Sequence, residues 1–242
     1  MDTPAPSAVT NAQLIRLGIF GIAMGLLEAI VVVYLRELYF PEGFRFPLRF
    51  ISEQMIRTEM LRELCTLVML IMVAGTATGE FILRFAVFLF VFGIWDIFYY
   101  VFLEILLDWP PSLFTWDVLF LIPVTWVGPV LAPVICSFTM IGIGILFILL
   151  DRRYGAVRVH RSAWLLMTAG ATLIFLSFIW TSAGIIVDGG FYRDLAGLAN
   201  NSAFQTVVAS SVPEYYHWEL FAIGEALILF AALTAHRKTA RY

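Results

Sequence analysis

The sequence predicts an all-α fold, a polytopic integral membrane bundle of about six transmembrane helices. Three observations predict it. Of 242 residues, 61% are hydrophobic and 14% are charged, against about 25% charged in ordinary soluble domains. The mean hydropathy is +0.90. The apolar residues gather into six long runs, each able to supply the ~20 residues that a ~30 Å hydrocarbon core requires. A water-soluble fold of this length has no interior large enough for so much apolar surface. The bilayer is therefore the first expected partner. A net charge of −3 gives no reason to expect nucleic acid.

The first span is expected over Leu14–Leu38. The polar, proline-containing stretch before it, residues 1–13, lacks the basic-then-apolar layout of a cleavable signal peptide. The second span is expected over Ser52–Thr78, with Ser52 as N-cap and Glu53 favourably placed in the first turn. It is continuously apolar only from Cys65 onward. Its first half carries Glu53, Arg57, Glu59, Arg62 and Glu63, so that half either projects beyond the bilayer or is wrapped by other helices. The third span is expected over Glu80–Leu107. Trp116–Val127 follows, with Pro123, Gly128, Pro129 and Pro133 in or just after it. Proline removes amide donors and breaks helices. The stretch reads as a re-entrant or interfacial segment, or as a proline-rich outer loop entering a kinked span. The fourth span is expected over Pro129–Leu150 and the fifth over Ser162–Val187, stopped by Asp188-Gly189-Gly190. Phe191–Ala209, with Phe191, Leu195, Leu198 and Phe204 at loose helical spacing, is expected to form an interfacial helix or a lid. The sixth span is expected over Glu214–His236. With no repeat or shift in composition, residues 1–242 form one transmembrane domain, ending in a basic tail at 237–242.

Basic residues set the sidedness. Arg152, Arg153, Arg158 and Arg161 lie between spans four and five, and Arg237, Lys238 and Arg241 in the tail. The positive-inside rule puts both groups in the cytoplasm. Both termini are then cytoplasmic, in a bacterial-type inner membrane. The link after span one disagrees, with Arg36, Arg45, Arg49 and Arg57 in and around it. Either the rule fails there, as a statistical rule does, or these arginines are committed to acidic partners or to an anionic ligand.

Glu28, Glu63, Asp96 and Glu225 sit within the apolar runs. An ionised carboxylate at mid-bilayer costs ~2.5–3.5 kcal/mol on insertion scales, so each is expected to face a bundle interior, a wet cavity, a cation or a partner charge. Helical spacing puts Gly18, Gly21, Gly25 and Glu28 on one stripe. Small residues allow close helix approach, so this stripe faces the bundle. Gly93, Asp96 and Tyr100 share a face of span three, flanked by Trp95 and Tyr99. Glu59, Arg62, Glu63 and Thr66 share a face of span two. Glu59 and Glu63 are like charges at i, i+4, which is unfavourable unless Arg62, a proton or a cation compensates.

These residues define an expected ligand or ion site of Glu28, Glu59, Arg62, Glu63, Asp96, Tyr100 and Glu225. Glu28, Glu63, Asp96 and His217 form the expected metal-ligand set. Carboxylate oxygens suit Mg, Ca or Mn, and a histidine among them also suits Fe or Zn, so a divalent metal ion is the one cofactor to test. The pattern fits a transporter or an ion- or proton-coupled permease for a small solute. It also fits a membrane-embedded, metal-dependent enzyme acting on a lipid-like substrate, with Tyr99 or Tyr100 as proton donor. A non-catalytic subunit stabilised by a buried ion-pair network fits as well. Partners are a small-molecule, ion or lipid-like ligand, with homo-oligomer or larger membrane complex left open. Glu28 and Asp96 are each expected to pair with Arg57 or Arg62. Cys65 and Cys136 are expected to be buried and reduced. Trp109, Trp116, Tyr215, Tyr216 and Trp218 read as an aromatic belt. Asn200-Asn201-Ser202 is a weak glycosylation sequon.

Overall fold

A computed structural model describes residues 9–48, 51–194, 197–198 and 201–239. Arg49, Leu195, Asn200 and Arg241, and the side chain of Lys238, lie outside this description. Six long apolar helices carry the fold: α1 (Asn11–Tyr39), α2 (Glu53–Ala77), α3 (Phe81–Leu107), α4 (Leu131–Tyr154), α5 (Arg161–Asp188) and α7 (Trp218–Thr239). Between α5 and α7 come a 3-10 turn, Phe191–Asp194, and a short helix α6 (Ser202–Ser210). All six predicted spans are present.

Local chemistry fixes several ends. Thr10 caps α1 in a capping box with Gln13, which starts the helix before the apolar run begins. Ser52 caps α2 as expected, its hydroxyl accepting from the Met55 amide. Asp188 is the last residue of α5, and Gly190 takes a positive φ of 71° just beyond it.

The stretch after α3 differs from expectation. It is neither a broken helix nor an open loop but an antiparallel hairpin, β1 (Trp116–Phe120) and β2 (Trp126–Pro129), with a bulge between Val118 and Phe120. Backbone away from water needs internal partners. Here the two strands satisfy each other, and side chains from the helices take up groups at the turn. Ser182 of α5 donates to the Thr125 carbonyl at 2.6 Å. Glu63 of α2 accepts from the Leu121 amide at 3.0 and 3.2 Å through its two oxygens.

Helix packing is closest where glycines face backbone. A Cβ at Gly25 would lie 2.8 Å from the Trp95 carbonyl oxygen, which places the predicted small-residue stripe of α1 against α3. Gly170 of α5 and Gly224 of α7 face each other's carbonyls, so a Cβ on either would meet backbone at 2.5 or 2.7 Å. The main core runs along α1, α3 and α4, with Leu83, Val87, Phe147 and Ile148 buried at its centre. α2 packs mainly on α3.

One end of the molecule gathers the start of α1, the α4–α5 link and the end of α7. Arg152 donates to the Val9 carbonyl and to Asn11, and the Arg158 amide donates to the Thr239 hydroxyl. At the other end lie the hairpin, the Tyr39–Leu48 link and α6, tied by the Leu48 amide to the Ala209 carbonyl. α6 thus lies over that end, within the stretch Phe191–Ala209 expected to form an interfacial helix or a lid.

Candidate functional site

A cavity of about 180 Å³ opens beneath α6, between the facing sides of α1 and α2 and the hairpin. Glu28, Val32, Leu35 and Arg36 form one stripe of α1. Met55, Ile56, Glu59, Arg62 and Glu63 form one stripe of α2. Both follow the i, i+3, i+4, i+7 spacing of a single helix face. The hairpin adds Asp117 and Leu121, α3 adds Tyr99, and α6 adds Gln205 and Val208.

Two ion-pair groups set its polarity. Arg62 bridges α1 to α2, its Nη2 lying 2.8 Å from Glu28 Oε1 while its Nε donates to Glu59 Oε1 at 2.8 Å. Arg36 Nη2 lies 3.7 Å from Asp117 Oδ1. Its guanidinium also stacks on the Trp109 ring at 3.8 Å and the Phe44 ring at 4.6 Å. Tyr100 Oη donates to Asp117 Oδ2 at 3.3 Å. Asp117 lies outside the six helices. Burial pushes its carboxyl up to about 6, against the lowering effect of Arg36.

Of the expected site residues, Glu28, Glu59, Arg62 and Glu63 line this one cavity. Tyr100 stands behind it through Asp117. Asp96 lies at the α3–α4 contact, where the Ser137 hydroxyl donates to it at 2.7 Å. The expected pairing of Glu28 with Arg62 is present; Asp96 is held by a hydroxyl in place of an arginine. Glu225 belongs to a different cavity, across α4.

The expected metal set does not assemble. Among the described residues, no three His, Cys, Asp or Glu side chains come together as metal ligands. His217 precedes α7, pairs with Glu219 at 2.7 Å and packs against the Trp180 ring. Because α7 begins at Trp218, Glu214 and His217 do not share a helix face. Other expectations also change. Cys65 is exposed on α2. Trp109 and Tyr216 are buried in place of forming a belt. Trp109 lies beneath Arg36, and the Tyr216 hydroxyl finds Ser177 at 2.9 Å.

Sequence reasoning missed Arg36 as a site residue and passed over Trp109 and Phe44 as its stacking partners. Its signal was the arginine excess after the first span, against the positive-inside rule. One of those arginines, Arg36, has a fixed acidic partner in Asp117. The hairpin also had a signal: two short aromatic and β-branched runs, Trp116–Phe120 and Trp126–Val127, on either side of Pro123.

Six bilayer-length helices place the chain among polytopic integral membrane proteins. It matches no family model, no curated protein and no solved structure.

Proposed function

We propose that the chain is a permease that couples to a proton or small cation and binds a small solute in the pocket beneath α6, on the outer side of the membrane. One observation carries this reading: four carboxylates, Glu28, Glu59, Glu63 and Asp117, share the cavity with only two guanidiniums, Arg36 and Arg62. An excess of acidic groups in a low-dielectric site favours uptake of positive charge. The arginines hold three of the carboxylates in place. Glu63 is held by the hairpin amide and has no guanidinium of its own. Asp96, behind the cavity, is the expected proton-binding partner on α3.

The test is flux in proteoliposomes containing the purified chain, followed with an internal pH dye during addition of alkali cations or small monoamines. Wild-type protein is expected to move charge or protons, and D96N and E28Q to lose at least tenfold of that flux. A well-folded wild type with no flux for any of these, or undiminished flux in both variants, overturns the proposal.

A second reading, an enzyme acting on a lipid-like substrate, is favoured by the apolar walls beside those charges, among them Val32, Phe40, Met55 and Ile56. It predicts turnover of an added lipid that E63Q abolishes.

A further inference from the structure

A second cavity, of about 240 Å³, lies between α4, α5 and α7 and shares no lining residue with the first. Its walls are almost wholly apolar: Met140 and Ile143 of α4, Met167 and Ile174 of α5, and four aromatic rings, Phe85, Trp126, Phe175 and Phe178. Glu225 is its one charged group, and no arginine, lysine or histidine lines it. Glu225 is buried, and its Oε2 accepts a hydrogen bond from the neutral Thr139 hydroxyl at 2.8 Å. The Cys136 thiol also lies against it.

This differs from the first pocket, where two arginines pair with three of the four acids. A buried carboxylate in an apolar wall is stabilised by a positive partner, and among the described residues no Arg, Lys or His lines this cavity. A bare metal cation is a poor candidate. Hard cations such as Ca take six to eight oxygens and Mg about six, whereas the side-chain oxygens of this wall come from Glu225 and Thr139 alone. An organic ammonium asks for something else: one counter-charge, and aromatic faces toward its alkyl groups. Both are present. Trp126 stacks on Phe178 at 5.9 Å between centroids and meets Phe175 edge-on at 5.1 Å, so the rings form a fixed corner of the cavity.

We propose that this cavity is a second binding site, for a lipophilic monovalent ammonium cation, anchored on the Glu225 carboxylate and enclosed by the Trp126, Phe175 and Phe178 rings. The proposal does not depend on the function assigned to the first pocket. Thr139 is a positioning residue. Its hydroxyl fixes the Oε2 oxygen of the carboxylate.

The experiment is saturation binding of radiolabelled phenyltrimethylammonium to the full chain in nanodiscs, with the neutral isostere tert-butylbenzene as competitor. Saturable binding is expected, with the neutral compound competing at least tenfold more weakly than unlabelled cation. E225Q is expected to weaken cation binding at least tenfold. Ala171 lines the same cavity from an exposed position, so A171W is expected to block binding by bulk without removing the charge or crowding the core. E28Q, in the first pocket, is expected to bind as wild type. The proposal is overturned by an absence of saturable binding, by equal competition from tert-butylbenzene, or by unchanged binding in both E225Q and A171W. Loss in E28Q with retention in E225Q also overturns it, because the cation then sits in the first pocket.

Discussion

Arg62 pairs with two carboxylates from two helices, and that makes it the residue whose loss is least easily absorbed. In R62Q, Glu28 and Glu59 remain partly buried with no cation. Breaking a buried pair in this way costs about 3–5 kcal/mol, and somewhat less here because the guanidinium is 23% exposed. A lowered midpoint of thermal denaturation is expected for R62Q, with partial recovery in R62Q/E28Q. A double mutant no better than R62Q would show that Glu28 is not the partner that matters. Glu63 is the wrong residue for such a rescue although it neighbours Arg62 in sequence, since its carboxylate is held by the Leu121 amide. Asp117 gives a pH test. Arg36, Tyr100 and Glu28 act on it, and its carboxyl titrates at about 6. Above that pH it is ionised and adds a negative charge to the pocket; below it the charge is lost. Binding of a small monoamine in the first pocket should strengthen as pH rises through about 6, and D117N should reduce that dependence. An unchanged pH profile in D117N would assign the dependence to another group.

At the scale of elements, the hairpin and the glycine crossings separate what the sequence made legible from what it did not. The helices were legible because an apolar run of bilayer length has one stable solution. The α1 stripe was legible because small residues recur on one face, and Gly25 does meet the α3 backbone. Glu28 and Arg62 were named from their faces, and a pairing of Glu28 with Arg57 or Arg62 was foreseen, but which arginine takes it, across thirty-four positions in sequence, is a tertiary fact. The hairpin was masked by its prolines, which argue against a helix without specifying what replaces it. Glu225 was grouped with the other acids because sequence gives depth along a helix and not which side of α4 a residue occupies. Two predictions belong here. G170V should destabilise by about 3 kcal/mol or more, because the added atoms meet the Gly224 backbone. G142A, where a Cβ would meet nothing within 4 Å, should be close to neutral. Similar losses in both would argue against the tight α5–α7 crossing. E63A should speed hydrogen exchange at the Leu121 amide and its hairpin neighbours, measured by mass spectrometry; an unchanged rate would mean that Glu63 does not secure the turn.

For the molecule as a whole, the joined positions of Arg152 with Val9 and of Arg158 with Thr239 put the start of α1 and the end of α7 at the end that carries the α4–α5 arginines. Cytoplasmic reporters fused at either terminus should therefore both be active, and a reporter in the link at 109–114 inactive. Opposite results at the two termini would overturn the six-span topology. Packing is uneven across the bundle. α3 is pressed against α1 and α4, and α5 against α7, whereas α4 and α7 touch more lightly. The Glu225 cavity lies along that lighter seam. Sliding the α5–α7 pair past α4 would disturb fewer contacts than deforming either tight pack. The hairpin straddles the same seam: β2 runs into the start of α4, while Ser182 of α5 holds its turn. It is placed as a clasp between two stiff halves, fastened to α5 by the Ser182 hydroxyl and by the Trp126 ring against Phe175 and Phe178.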